Sequence, residues 1–186
     1  MKITLKNGEV KEFSHDVTAA EAAEAISAGL ARNACAARID GQTVDLRTRI
    51  LKDCRLEILT FEEEEGRAAF RHTTAHILAQ AVKRLFPETK LAIGPSIKDG
   101  FYYDFDREEA FTPEDLDALE KEMKKIVKEN LEIQRFTLSS KDALALMEEK
   151  EEPYKVQLIE ELPEGEEISF YRQGEYVDLC AGPHLM

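Results

Sequence analysis

Most of the quick giveaways are missing from this chain. Its 186 residues include three cysteines, Cys35, Cys54 and Cys180. They are odd in number and far apart, which excludes a disulfide framework and fits a reducing, cytoplasmic compartment. No Cys-x-x-Cys pair occurs, so a zinc finger or ribbon is excluded. No apolar run approaches the roughly 20 residues of a membrane helix. The opening MKITLKNGEV has no h-region and is not a signal peptide. There is no P-loop, no Rossmann glycine pattern and no Gly-x-Ser-x-Gly elbow. Positive charge is short as well: 25 Lys+Arg face 38 Asp+Glu, a formal net charge of −13. An acidic body is a poor non-specific binder of nucleic acid, so a grip on RNA would need a local basic patch or help from elsewhere.

The deficit is uneven. Residues 1–60 hold nine Lys+Arg and nine Asp+Glu, a net of zero, so residues 61–186 carry the whole −13. This break marks a domain boundary near residue 61, giving domains 1–61 and 62–186. In the first, Asn7-Gly8 between two short alternating runs predicts a hairpin. Thr18 is placed to cap an Ala-rich helix ending near Gly29. ACAARID and RLEILT read as strands, with Gly41 in a turn between them. Hairpin, helix, strand, strand is the order of a β-grasp, ubiquitin-like unit. Cys35 and Cys54 read as small buried hydrophobes.

After the solvated run FEEEEGR, residues 67–86 are helix-periodic and stop at Pro87. Gly94-Pro95 and Asp99-Gly100 mark turns, with an aromatic strand following. Thr112 and Pro113 open an amphipathic helix with the stripe Leu116, Leu119, Met123, Ile126 and Val127. A strand, LEIQRFTLS, and a short helix, SKDALALMEEK, follow. YKVQLIEEL, EISFYRQG and EYVDLC then read as three strands. The fold class predicted is α+β throughout: a β-grasp domain, then a domain of helices packed on an antiparallel sheet.

His72 and His76, in RHTTAHILAQ, are four apart and share a helix face. Taking His72 as zero, His76 lies at about 40°, while Phe70, Ile77, Leu78, Ala81, Val82 and Leu85 fall between roughly 140° and 280°. The pair thus faces away from the apolar side, among small residues, as lining a cleft requires. Thr73 stands where a His-Glu-x-x-His protease carries its glutamate, so that reading fails. At the other end, YVDLCAGPHLM holds Cys180 and His184, with Gly182-Pro183 between them forcing a loop. His72, His76, Cys180 and His184 together make a plausible four-ligand zinc set.

The motifs HTTAH, GPSIKDGFYYDF, EPYKVQLI and YVDLCAGPH resemble, together and over the whole chain, the N-terminal part of the bacterial threonyl-tRNA synthetases. Residues 1–61 resemble their TGS domain. Residues 62–186 resemble their editing domain, shared with alanyl-tRNA synthetases and free-standing deacylases. The resemblance implies hydrolysis of the seryl ester of Ser-tRNA(Thr). By motif match, His72 and His76 would hold or deprotonate a water, Lys155 would bind the oxyanion or fix that water, and Cys180 and His184 would complete the wall. Asp178 would read the seryl amine or hydroxyl, Tyr103 would pack on the terminal adenosine, and Gly94 belongs to the same substrate-binding set. The resemblance also implies no resident metal or cofactor here. The ATP, Mg and Zn of the parent ligase belong to a catalytic domain outside this stretch. Partners expected are the tRNA(Thr) acceptor end and no membrane. The chain alone is expected to be a monomer, unlike the homodimeric parent. Its activity alone is expected to be weak, because His184 lies two residues from the chain end, where chains fray. Two other readings stay open: a free-standing zinc-dependent deacylase, and a non-catalytic TGS protein that binds RNA or a partner.

Overall fold

The computed structural model describes residues 1–163 and 165–186. The chain forms two compact units, Met1–Thr73 with Gly182–Met186, and Thr74–Ala181.

In the first unit β1 (Lys2–Leu5) and β2 (Val10–Glu12) form the expected hairpin, with Gly8 at φ +87° in its turn. Then come β3 (Val17–Thr18), α1 (Ala19–Ile26), α2 (Ala28–Asn33), β4 (Ala34–Ile39), β5 (Gln42–Val44), β6 (Arg49–Ile50) and β7 (Cys54–Thr60). The sheet order is β2-β1-β7-β4-β5, with β1 parallel to β7 and the other pairs antiparallel. Helix α1 packs on it through Ala19 and Ala22, against Ile3, Leu5, Leu46 and Leu56. Thr18 and Glu21 form a reciprocal capping box at its start. The helix does not run on to Gly29. Ser27, in extended conformation, ends α1 and its hydroxyl accepts the Leu30 N–H to begin α2.

Helix α3 (Glu64–Leu85) starts three residues earlier than its periodicity suggests. Glu64 and Glu65 fill its first turn, where a helix favours negative charge. Gly66 permits the close approach to β7: a Cβ there would lie 1.8 Å from the Thr60 carbonyl oxygen. Ala69 then packs on Leu59 and Ala36.

The second unit continues with β8 (Lys90–Leu91), β9 (Ser96–Ile97), β10 (Gly100–Phe101), β11 (Phe105–Asp106), α4 (Pro113–Glu129), β12 (Ile133–Leu138), α5 (Ser140–Glu149), α6 (Pro153–Glu160), β13 (Ile168–Gln173) and β14 (Tyr176–Leu179). Strands β12, β13 and β14 form an antiparallel sheet in that order. Met147 of α5 and Ile159 of α6 pack on Phe170 of β13. Two expectations are corrected. YKVQLIEEL is helical over most of its length, because Pro153 sets its first turn and Glu152, Lys155 and Ile159 recur at helical spacing as buried positions. On α4, Leu119 and Ile126 are buried but Leu116 and Val127 are exposed, so the inward stripe is narrower than the periodicity implied.

Candidate active site

Helix α3 carries His72 and His76 one turn apart on one face, as their spacing requires. The face is not an open cleft wall throughout: His76 is buried, while Phe70 and Leu85 on the opposite arc are exposed.

In the first unit His72 faces His184, ring centroids 4.2 Å apart and planes tilted by 32°. Their ring nitrogens lie within 4.8 Å of one another. His184 is 0% exposed, so the expectation that it would be poorly held is overturned. Thr73, also buried, explains part of this. Its Oγ1 lies 3.0 Å from the Ala69 carbonyl, 3.1 Å from His184 Nδ1 and 3.0 Å from the Leu185 N–H. A hydroxyl has one proton to give and two lone pairs. All three contacts are satisfied when it donates to Ala69 and accepts from Leu185 and from a protonated Nδ1.

In the second unit the centre is Asp178 on β14, 3% exposed. Lys155 Nζ on α6, itself 4% exposed, lies 2.8 Å from Oδ1. The hydroxyls of Tyr103 and Tyr176 donate to Oδ2 at 2.9 and 2.8 Å. His76 Nε2 stands 3.8 Å from the same oxygen. Burial alone would raise the Asp178 pKa. The Lys155 ammonium, then His76, outweigh it and hold the carboxyl below its ordinary range. Tyr103 and Tyr176 shift upward, first from burial and then from the Asp178 charge, so both phenols stay protonated donors. Among the described residues, two partners take Lys155 N–H groups, Asp178 and, at 3.4 Å, Tyr103. An ammonium has a third to offer.

Other predicted residues take supporting positions. Gly94 lies beneath the Tyr103 ring, where a Cβ would stand 2.1 Å from Cδ2. Tyr103 stacks on Phe105 with centroids 4.7 Å apart. The Asp178 carboxylate offers about four lone-pair sites, and three already face Lys155, Tyr103 and Tyr176. Cys180 is fixed through its backbone: its N–H donates to Ser169 O at 3.0 Å and its carbonyl accepts from Ser169 Oγ at 2.6 Å. Its Sγ lies within 4.8 Å of a His76 ring nitrogen. The sequence reading missed Tyr176. It stands two residues before Asp178 on β14, so strand alternation puts both on one face. Its ring meets His76 edge-on, centroids 5.8 Å apart at 84°.

The donors offered by His72 with His184, and by His76 with Cys180, have the chemistry zinc prefers. Two ligands of a tetrahedral zinc stand about 3.3–3.8 Å apart, a spacing within the 4.8 Å limit of each pair.

Comparison with known proteins supplies the context. Residues 1–60 match the TGS domain family. The chain is 60% identical over 185 residues to threonine–tRNA ligases of Acetivibrio thermocellus and Caldanaerobacter subterraneus, and 57% to that of Clostridium acetobutylicum. Each match takes in 100% of this chain and 29% of the relative. Over its whole length the chain is similar to the N-terminal region of threonine–tRNA ligases. It spans under a third of the length of these relatives. The first 60 residues are therefore a TGS domain in the β-grasp fold that the strand order shows. No helix among the described residues is long and apolar enough to cross a membrane.

Proposed function

We propose that this chain is part of a threonyl-tRNA synthetase and that it is an ester hydrolase that clears serine from Ser-tRNA(Thr). The carrying observation is the buried array of Lys155, Asp178 and His76, with an ammonium pinned by a carboxylate beside an imidazole. Fixed charge of this kind suits a reaction in which negative charge develops on a carbonyl oxygen.

Threonine exceeds serine by one methyl group. A missing methyl weakens binding by only about 1–3 kcal/mol, a limit general to synthetases and the reason a second, hydrolytic sieve is useful. A site too small for the extra methyl admits the seryl ester and excludes the threonyl one. A water polarised by the imidazoles of His72 and His76 attacks the ester carbon. The third Lys155 N–H meets the oxyanion. The bond from the acyl carbon to the ribose oxygen then breaks, and the proton taken from water passes to that oxygen. The reading uses no resident metal. If zinc is bound, His72, His76, Cys180 and His184 hold it, and its contribution is Lewis acidity. Elemental analysis after dialysis decides that point.

The acceptor end of tRNA(Thr) is the proposed partner, the cytoplasm the proposed compartment and a monomer the proposed state of this chain alone. With the array intact, Ser-tRNA(Thr) loses its ester at least about tenfold faster than Thr-tRNA(Thr). His76→Ala and Lys155→Ala each slow the seryl reaction by about a hundredfold or more. Equal rates on both esters, or wild-type rates in these variants, would sink the proposal. Tight tRNA binding without hydrolysis would favour a binding module instead.

A further inference from the structure

Residues 182–186 fold with the N-terminal unit, and two side chains of that unit take hold of them. Both come from the turn after β5. The Asp45 carboxylate is 6% exposed. Its Oδ1 accepts the Arg47 backbone N–H at 2.9 Å and Arg47 Nη1 at 2.8 Å. Its Oδ2 faces the His184 backbone N–H at 3.4 Å. Arg47 Nη2 reaches past it and donates to the Leu185 carbonyl at 2.8 Å. The two residues thus grip the backbone at His184 and Leu185, while Thr73 holds the imidazole and the Leu185 N–H. Both side chains are engaged with each other and with backbone groups, and nothing in the β-grasp fold requires the Arg47 fork to end on a residue 138 positions away.

We propose that Asp45 and Arg47 of the TGS domain are positioning residues for the imidazole of His184. This rests on the ester-hydrolase reading above. The physical reason lies in the fork. A guanidinium presents N–H groups in a rigid plane and can bridge Asp45 Oδ1 and Leu185 O at once. A lysine has one nitrogen and cannot hold both at the same spacing. Without the bridge, the loop that carries His184 loses its guanidinium contact at the Leu185 carbonyl. Small misplacement of a reacting group is costly: about 1 Å can remove two orders of magnitude in rate.

The test uses the full 186-residue chain, and the same chain extended with the remainder its relatives possess. Arg47→Ala, Arg47→Lys and Asp45→Asn are compared with Arg38→Ala, which removes a surface ion pair of the same unit, Arg38 with Glu57 and Glu65. Expected for Arg47→Ala is a fall in kcat on Ser-tRNA(Thr) of about tenfold or more, with KM within about twofold. Arg47→Lys should fall between Arg47→Ala and wild type. Melting temperatures should match that of Arg38→Ala. In 13C-histidine NMR the His184 imidazole signal should move in the Arg47 variants and that of exposed His15 should not. Wild-type kcat in Arg47→Ala, or an equal loss in Arg38→Ala, would overturn the proposal. If the wild-type chain fails to hydrolyse the seryl ester, the ester-hydrolase reading falls. The imidazole signal then decides the positioning role: movement confined to the Arg47 variants sustains it, and a static signal overturns it.

Discussion

Thr73 stands where a metalloprotease helix would carry a glutamate, and its use here is different. Its hydroxyl contacts His184 Nδ1 and accepts the Leu185 N–H. Thr73→Val keeps the shape and removes those contacts. The expected cost is about 1–3 kcal/mol in stability and about tenfold in seryl-ester hydrolysis. Thr73→Ser, which restores the hydroxyl, should recover most of the rate. A rate in Thr73→Val equal to wild type would show that these contacts do not matter. Gly94 gives a second single-residue test. Gly94→Ala sets a methyl 2.1 Å from the Tyr103 ring, which must move and release Asp178 Oδ2. Hydrolysis should drop about tenfold, with far-UV circular dichroism unchanged. The sequence exposed some of this. His72 and His76 were legible from spacing alone, because a helix puts residues four apart on one face. Asp45, Arg47 and Tyr176 were not singled out, and Thr73 was noted only as the residue that rules out a His-Glu-x-x-His protease. They act through the burial and hydrogen bonding of other residues, and a linear pattern records neither.

The element most misread in the sequence is α6. Tyr154 to Leu162 alternates enough to pass for a strand, yet Pro153 opens a helix and the burial recurs every three to four residues. The difference matters, because α6 carries Lys155 into the array. The two readings diverge at Val156 and Ile159. In a strand these residues point to opposite faces, whereas on α6 both join the cluster with Met147 and Phe170. Ile159→Ala should therefore cost about 2–4 kcal/mol and Val156→Ala about 1–2 kcal/mol in urea unfolding. A neutral Val156→Ala would contradict the helical packing. The break between α1 and α2 was hidden for a related reason. Ser27 serves as the end of one helix and the cap of the next, and only its backbone conformation reveals the interruption. The capped starts of α1 and α4 were legible, since Thr18 and Thr112 each stand three residues before an acidic partner.

At the scale of the molecule, the −13 charge places many carboxylates close together and makes acid stability informative. Arg84 on α3 gathers Glu122 and Glu129 of α4 and Glu175 before β14, at 3.0, 2.8 and 2.6 Å. These hydrogen bonds raise the Arg84 pKa. The bond from Arg84, with help from Gln80, pulls Glu175 down to about 2 from an ordinary 4.5. A depressed carboxyl stabilises the fold fully above its unfolded value, and the contribution disappears as pH falls through its folded value. For Glu175 the window therefore runs from about pH 4.5 down to about pH 2. Its side chain is 57% exposed, so solvent screening reduces the effect to the order of 1 kcal/mol. Asp178 shifts in the same direction, so the acid limb of the whole chain cannot be assigned to Glu175 from one titration. The difference between two proteins can. Glu175→Gln keeps the size and cannot ionise. It should be less stable than wild type by about 1 kcal/mol at pH 7, and the gap should narrow steadily below pH 4.5 and nearly close by pH 2. Urea unfolding of both proteins at pH 7, 4 and 2.5 measures that gap. A gap that stays constant across the range would mean that Arg84 holds Glu175 by geometry alone, with no coupling to its charge.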